Sequence, residues 1–559
     1  MKHRLASLLA GLLALLLLAG CAGTRDVAQS TLMPPETTAR EAERTASAGT
    51  ARTLKLPVSP TGGINPFTCT DLTNRTLLSL LYESLFRVTS DFRAVPYLCG
   101  SYTASGDGRT HTILLKSGVT FSDGSAMTAA DAAASLKAAM GSPFYGSRLS
   151  HVTNISASGN TLTLTTDSAC GSLARLLDIP IVKSGTESAA APVGSGPYVP
   201  DLGSLRLTRS ARWWQTGKPP VGQSTVALVS EKTPGGTRDD FELGTVSLVC
   251  ADPNAGSSVV YHSDFELWSN NTTVMQYIGF NLQSPVFVYS SIRAAVTRAI
   301  DRDAVVSGSA GGFAVAASLP VSPYAPEYDA GLASQYAYSE SAFASAMTAS
   351  EVRDMNGDGV LDVYTDTGSL PLSGRMIVSS ASQQRVSAAR AVAAQLNKLG
   401  FAVTVTPLAP AAYTAALQKG EYDLYYGETR LSPDFDLSPF FSASGSLSFG
   451  GIADQTLELL CTKMRENSGN AYALYQKVME RGLLCPVLFK TYAIYSARGA
   501  VSGLAPCLDC VFSPAALSDQ AEKSPSAPET TAAQSAASET SSPEASSPQT
   551  SSPETTAAP

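Results

Sequence analysis

The chain has 559 residues, 39 of them basic and 47 acidic, for a net charge of −8, and only 15% of its residues are charged. A mildly acidic chain of this kind lacks the basic surface that nucleic acid or anionic lipid would select. It is long enough for several domains built on large buried cores. Its low charged fraction, with 44 Gly and 33 Pro, fits a secreted or surface protein.

The chain opens with Lys2, His3 and Arg4, followed by an almost wholly apolar run over residues 5–18. That run is shorter than the ~20 residues a spanning helix needs, and with its basic start it reads as a secretory signal peptide over residues 1–20. It ends Leu18-Ala19-Gly20-Cys21, which resembles the bacterial lipobox, so Cys21 is the expected lipidation site. Small residues fit a narrow peptidase site there, and a thiol is what a thioether to diacylglycerol requires. Acyl chains contribute ~0.8 kcal/mol per buried CH₂, so two or three of them anchor a domain stably. The mature body is therefore placed outside the cytoplasm, on the outer face of the cell membrane. Residues 21–51 read as a flexible tether. Residues 516–559 are nearly all Ser, Thr, Ala, Pro and Glu and cannot bury enough apolar surface to offset ordering entropy.

The body between them, residues 52–515, has mixed periodicity. Residues 110–116 and 160–166 read as half-exposed strands, with Leu162 and Leu164 alternating with threonines. Residues 128–140 predict a helix with Thr128 as N-cap, and residues 291–299 predict another. Residues 375–378 read as a buried strand. A helix over 383–399 carries Val386, Ala389, Ala393 and Leu396 on one face, and Gly400 stops it. A strand over 401–405, a helix over 411–419 and a strand over 422–426 follow. Strand–helix–strand–helix–strand predicts parallel pairing with right-handed crossovers, and the fold class is α/β.

Five blocks in order resemble the extracytoplasmic solute-binding proteins of ABC importers, in the oligopeptide/dipeptide/nickel-binding group. Ile64-Asn65-Pro66-Phe67 and Leu81-Tyr82-Glu83-Ser84-Leu85-Phe86 form the first. The second runs Leu115-Lys116-Ser117-Gly118-Val119-Thr120-Phe121-Ser122-Asp123-Gly124 into Thr128-Ala129-Ala130-Asp131. Val193-Gly194-Ser195-Gly196-Pro197-Tyr198, with Trp214 and Gly217-Lys218-Pro219-Pro220, is the third. Tyr277-Ile278-Gly279-Phe280-Asn281, preceding Ile292-Arg293-Ala294-Ala295 and Ala299-Ile300-Asp301-Arg302-Asp303, is the fourth; Gln395-Leu396-Asn397-Lys398-Leu399-Gly400 to Tyr422-Asp423-Leu424 is the fifth. Ser84, Ser195 and Trp213 depart from the family's usual Gly, Thr and Tyr. The resemblance implies a bilobal periplasmic-binding-protein type II (Venus-flytrap) fold that closes by hinge motion. Lobe I would comprise residues 52–76, 176–280 and 486–515, with an inserted subdomain at 77–175, and lobe II residues 281–485. It also implies a monomer that holds a peptide by main-chain hydrogen bonds and hands it to a membrane permease with separate ATPase subunits. The chain has no phosphate-binding loop of its own.

In peptide-binding relatives an aspartate after the fifth block's last strand meets the ligand's α-amino group, and here either Asp434 or Asp436 fits. Arg430 is placed to meet a ligand carboxylate or to neutralise those aspartates. Asn65, Tyr82 and Glu83 are candidates at the cleft edge, while Tyr425, Tyr426 and Trp213 either line it or pack. Asp354, Asn356, Asp358 and Asp362 have EF-hand-like spacing around Gly359, but Thr365 stands where a bidentate Glu belongs, so an Asp/Gly turn is the alternative. No cofactor is expected. Eight cysteines remain after Cys21, among them the C-x-x-C of Cys507 and Cys510; a small disulfide or two buried thiols are the open readings.

Enzymatic readings fare poorly. Only His111, His151 and His262 remain after the signal peptide, and neither H-E-x-x-H nor G-x-S-x-G occurs. The competing functions within the same fold are binding of chelated nickel, haem or a sugar, and ligand sensing for a signalling receptor.

Overall fold

The computed structural model describes residues 53–513 except 216–219, 232–235, 256–260 and 367. The signal peptide, Cys21, the tether and the C-terminal tail lie outside the described residues, as do Gly217, Lys218 and Pro219. Among the described residues no helix is long and apolar enough to cross a membrane.

The first strand, Leu54–Val58, pairs in parallel with Thr225–Ser230, and Arg206–Arg209 and Tyr198–Asp201 complete a four-stranded sheet. Between its first two strands in sequence the chain inserts a second four-stranded sheet, in the order Cys99–Ala104, Thr110–Leu115, Thr161–Thr166, Val152–Ser158. The predicted helix, Ala129–Met140, packs on it. Thr128 is its N-cap, and Asp131 reaches back to accept from the Thr128 amide at 2.8 Å, so two helix-start donors are satisfied. This insertion and the first sheet share one continuous hydrophobic core, from Leu54 through Leu136 and Leu164 to Phe512.

The strand–helix run of the C-terminal half forms as expected: Ser373–Ser379, Gln383–Lys398, Ala402–Leu408, Pro410–Lys419 and Leu424–Arg430. Ser373–Ser379 pairs in parallel with both of the other strands. Gly400 adopts φ +94°, a left-handed conformation that favours glycine, and a Cβ there would lie 2.7 Å from Leu361 Cγ.

The sheet that contains this run is larger and mixed. Two long strands, Phe265–Phe280 and Leu484–Ala497, are antiparallel to each other and carry the remaining strands on either side, giving seven in all. Along them the core changes hands. Cys250 and Ile494 belong to the first core, whereas Met275, Ile278, Leu484 and Phe489 belong to the two cores that sandwich the second half of the sheet. The register slips between Asn271 and Met275, at that changeover. A bulge concentrates twist and breaks the ladder, so this is where one lobe ends and the other begins. The two lobes also touch elsewhere: Val88 and Phe92 of the insertion pack in the second lobe's core, with Phe92 against Phe435 at 5.0 Å.

Candidate functional site

The strand Leu424–Arg430 ends at the lobe junction and runs into the segment that carries both aspartates. Phe435, between them, is fully buried at φ +58° against Phe92 and Phe489, and this strained backbone turns the two carboxylates inward. Asp434 is buried and accepts from Ser432 Oγ at 2.5 Å on one oxygen. On the other it accepts at 2.8 Å from Ser172 Oγ, a residue of the inserted subdomain 262 positions away. Asp436 accepts from the Ser438 amide and hydroxyl at 3.1 and 2.6 Å. Burial, and then the neighbouring Asp434 charge, push its carboxyl above the usual range.

Two arginines face this pair. Arg465 is buried, and its guanidinium donates to Ser168 of the insertion at 3.1 Å and to Ser438 at 3.0 Å. Arg175, on the short helix Leu173–Leu176, crosses the junction to bind both oxygens of Glu327, one at 3.0 Å. Burial alone would lower the Arg175 pKa, but the Glu327 carboxylate outweighs it. The Tyr475 hydroxyl is buried beside them without a hydrogen-bond partner. Three carboxyl groups (Asp434, Asp436, Glu327) thus face two guanidiniums (Arg175, Arg465), and the crowding is felt at Asp436, whose proton is held more tightly than in a free carboxyl.

The floor between the lobes is polar and extensively bonded, with Arg385 Nε buried and left without a partner. Lys490, on the long strand Leu484–Ala497, is 4% exposed; its ammonium contacts Asp252 and lies 3.5 Å from Glu428. Glu428 also accepts from Gln276 at 2.8 Å and Arg385 at 3.1 Å. Ser382 donates to the Asn254 carbonyl at 3.0 Å. Arg430, half-buried, donates to the Tyr492 hydroxyl at 2.8 Å rather than to either aspartate.

The other candidates sit elsewhere. Tyr82 and Glu83 are buried in the first lobe, and Tyr82 lines a small pocket with Arg75, Tyr145 and Asp509. The Glu83 carboxylate accepts from the indoles of Trp214 and Trp213 at 2.7 and 3.1 Å and from Ser195 Oγ at 2.8 Å. Its carboxyl is nonetheless pushed up, because burial outweighs those bonds. The first and third sequence blocks therefore meet in one buried knot. Asn65 holds a loop: its amide donates to the carbonyls of Glu187 and Ala189 at 2.7 and 2.8 Å. Tyr425 and Tyr426 are core residues, bonded to Tyr277 and Gln276.

In the acidic loop, Asp354 accepts from the amides of Gly357 and Gly359, Asp358 from Val360, and Asp362 from Met355. These carboxylates cap the loop's own backbone, the bonding an Asp/Gly turn uses. Among the described residues no three His, Cys, Asp or Glu side chains converge on a metal position. The eight cysteines are buried free thiols, and Cys507 and Cys510 close a turn through reciprocal backbone bonds of 2.8 and 3.3 Å.

Ser172, Arg175, Glu327, Arg465 and Tyr475 were not singled out from the sequence. None lies in a motif, and Arg175 and Glu327 are 152 residues apart. The available signal was coarse: arginines in an apolar neighbourhood need a buried partner somewhere.

Comparison with known proteins agrees with this architecture. Solved structures with the same fold include the oligopeptide-binding protein AppA from Bacillus subtilis in complex with a nonapeptide (TM-score 0.55, 19% identity, 80% of this chain and 95% of that chain). They also include NikA from Brucella suis in complex with Fe(III)-EDTA (TM-score 0.63, 17% identity, 82% and 98%). A third is AppA from Clostridium difficile (TM-score 0.65, 15% identity, 82% and 99%). Two lobes joined by a pair of long strands, with charged groups meeting between them, define a type II periplasmic binding protein. The model of the bacterial extracellular solute-binding proteins, family 5, matches residues 93–448, and the chain belongs to that family. It is 25% identical over 286 residues to the glutathione-binding protein GsiB of Escherichia coli (strain K12), covering 47% of this chain and 56% of the relative. The chain thus matches little more than half the length of such relatives. The family and these neighbours are binding proteins, not enzymes.

Proposed function

We propose that the chain is the lipid-anchored substrate-binding protein of an ABC importer, tethered through Cys21 outside the cell membrane. It captures peptides between its lobes and delivers them to a permease driven by separate ATPase subunits. The observation that supports the ligand class is the crowding of three carboxyl groups, Asp434, Asp436 and Glu327, against two guanidiniums at the lobe junction. A buried, uncompensated carboxylate is costly. A ligand α-ammonium, bound by either aspartate as the lobes close, removes that cost through a short charge-assisted bond. The Ser172–Asp434 contact, which already crosses the junction, supports this reading.

The test is mass spectrometry of what co-purifies with the mature chain, followed by binding of a peptide and its N-acetylated form to D434N and D436N. A ladder of short peptides, and loss of the preference for a free amine in one variant, is the expected result. A single non-peptide species defeats the peptide reading, and equal binding of acetylated peptide by the wild type defeats the aspartate–ammonium contact. A second reading, a chelated metal or another non-peptide solute, has support from the NikA likeness, and elemental analysis of the same preparation checks it. Lipidation is checked separately by the mass of the mature chain, which C21S should leave without a diacylglycerol adduct.

A further inference from the structure

The segment Ser168 to Arg175 of the insertion bonds to the second lobe four times. Ser168 Oγ accepts from Arg465 at 3.1 Å, Ser172 Oγ donates to Asp434 at 2.8 Å, and Arg175 binds Glu327. In the middle, the Gly171 amide donates to the Arg465 carbonyl at 2.8 Å. The first three bonds are made by side chains, which have rotamers with which to follow a small shift of the lobes. The Gly171 bond joins backbone to backbone and has none.

The Arg465 carbonyl lies in the last turn of the helix Gln455–Glu466. The final carbonyls of a helix have no partner within it. Here the Asn467 amide meets the Lys463 carbonyl, and Gly171 meets the Arg465 carbonyl from the other lobe. Closure therefore completes a helix cap that an open protein leaves to water.

The Gly171 backbone itself does not call for glycine, since its φ lies outside the left-handed region. The opposite lobe does. A Cβ at this position would stand 2.7 Å from the Glu466 carbonyl oxygen and 3.5 Å from its carbon, and the next atom it would meet is the Arg465 carbonyl oxygen at 3.8 Å. Neither side can give way. Cys170 and Leu173 are buried in the first core, and Cys461 and Met464 in the second. Ordinary contact begins at 3.4 Å, so an added Cβ makes closely packed lobes part by about 0.7 Å here. That carries a 2.8 Å bond past the ~3.2 Å limit of a good N–H···O bond.

We propose that Gly171 is a positioning residue for closure: its bare Cα lets the insertion cap the second lobe's helix, and this latch holds the lobes together before any solute binds. Apparent affinity scales with the fraction of chains in the binding-competent state. The latch thus raises affinity for every solute by one factor, whatever its chemistry, without touching it.

The experiment is small-angle X-ray scattering of the dialysed, solute-free mature chain as wild type, G171A, G171L and G106A. Gly106 lies in the same insertion, has no positive φ, and has open space where a Cβ would stand, so G106A is the control. The wild type and G106A should share one radius of gyration. G171A should be larger and G171L larger again, with the closed-to-open ratio down at least tenfold. Hydrogen exchange in the strand Thr161–Thr166 should stay as slow as in the wild type. Equal radii in the wild type, G171A and G171L overturn the latch, as does equal expansion of G106A. Expansion accompanied by fast exchange in Thr161–Thr166 also overturns it, because Gly171 would then serve the fold of the insertion and not closure.

Discussion

Removing Arg175 should open the molecule. Its guanidinium is 10% exposed and Glu327 3%, and the pair joins the inserted subdomain to the second lobe. In R175A the carboxylates of Glu327, Asp434 and Asp436 are left with Arg465 as their one guanidinium. Breaking a buried ion pair by deleting one partner costs about 3–5 kcal/mol, because the other charge stays desolvated. Here a cheaper escape exists than unfolding. Separating the lobes returns Glu327 to water, so the cost appears as a shift of the closed–open equilibrium. At about 1.4 kcal/mol per factor of ten, 3 kcal/mol shifts it by roughly 100-fold. Small-angle X-ray scattering of the ligand-free variant should show a larger radius of gyration than the wild type. The double variant R175M/E327M, which leaves no charge from this pair behind, should close again. An unchanged radius in R175A together with a lowered melting temperature would refute the reasoning, since the pair would then hold the fold and not the closure.

Asp509 should make stability depend on acid. Its carboxyl is held below its unfolded value by Arg148, Arg75 and Arg430 against the effect of burial, so the stability it contributes is present above about pH 3.9 and is lost as pH falls through the folded value. D509N should flatten that part of a urea-unfolding series, and an unchanged acid limb would contradict it. E83A leaves two indole N–H groups and the Ser195 hydroxyl without their acceptor; at about 1–3 kcal/mol per unsatisfied group, it should lower the urea midpoint more than any exposed carboxylate substitution does. Burial pushes the Cys250 and Cys507 thiols up to about 12, so iodoacetamide at neutral pH should modify the folded chain slowly, and eight thiols should react once it is denatured. G400A meets both a left-handed backbone and Leu361 and should cost about 1–3 kcal/mol of stability in the same assay.

The β-α-β-α-β run of the second lobe was legible within one or two residues at most ends, because alternation and the 3.6-residue repeat are imposed by hydrogen bonds that each segment makes within itself or with a near neighbour. Thr128 and Gly400 belong to the same class: a helix start needs acceptors and a helix stop needs positive φ, and both requirements are met by the residue on the spot. Asp434 and Asp436 were visible as a charged pair after a strand, but their surroundings were not. Ser172 stands 262 positions from Asp434, and Arg148 stands 361 from Asp509. Glu83 shows the same limit from the other side. Nothing in its apolar stretch, Leu81-Tyr82-Glu83-Ser84-Leu85-Phe86, pointed to the two tryptophans of a distant block that bond to it. The sequence alone determined which segments are strands and helices, and the order that marks the family. Only the tertiary structure decided which charges face one another, because partners are chosen by where the chain returns in space. The two long strands Phe265–Phe280 and Leu484–Ala497, which join the lobes, set that return through pairings more than 200 residues apart.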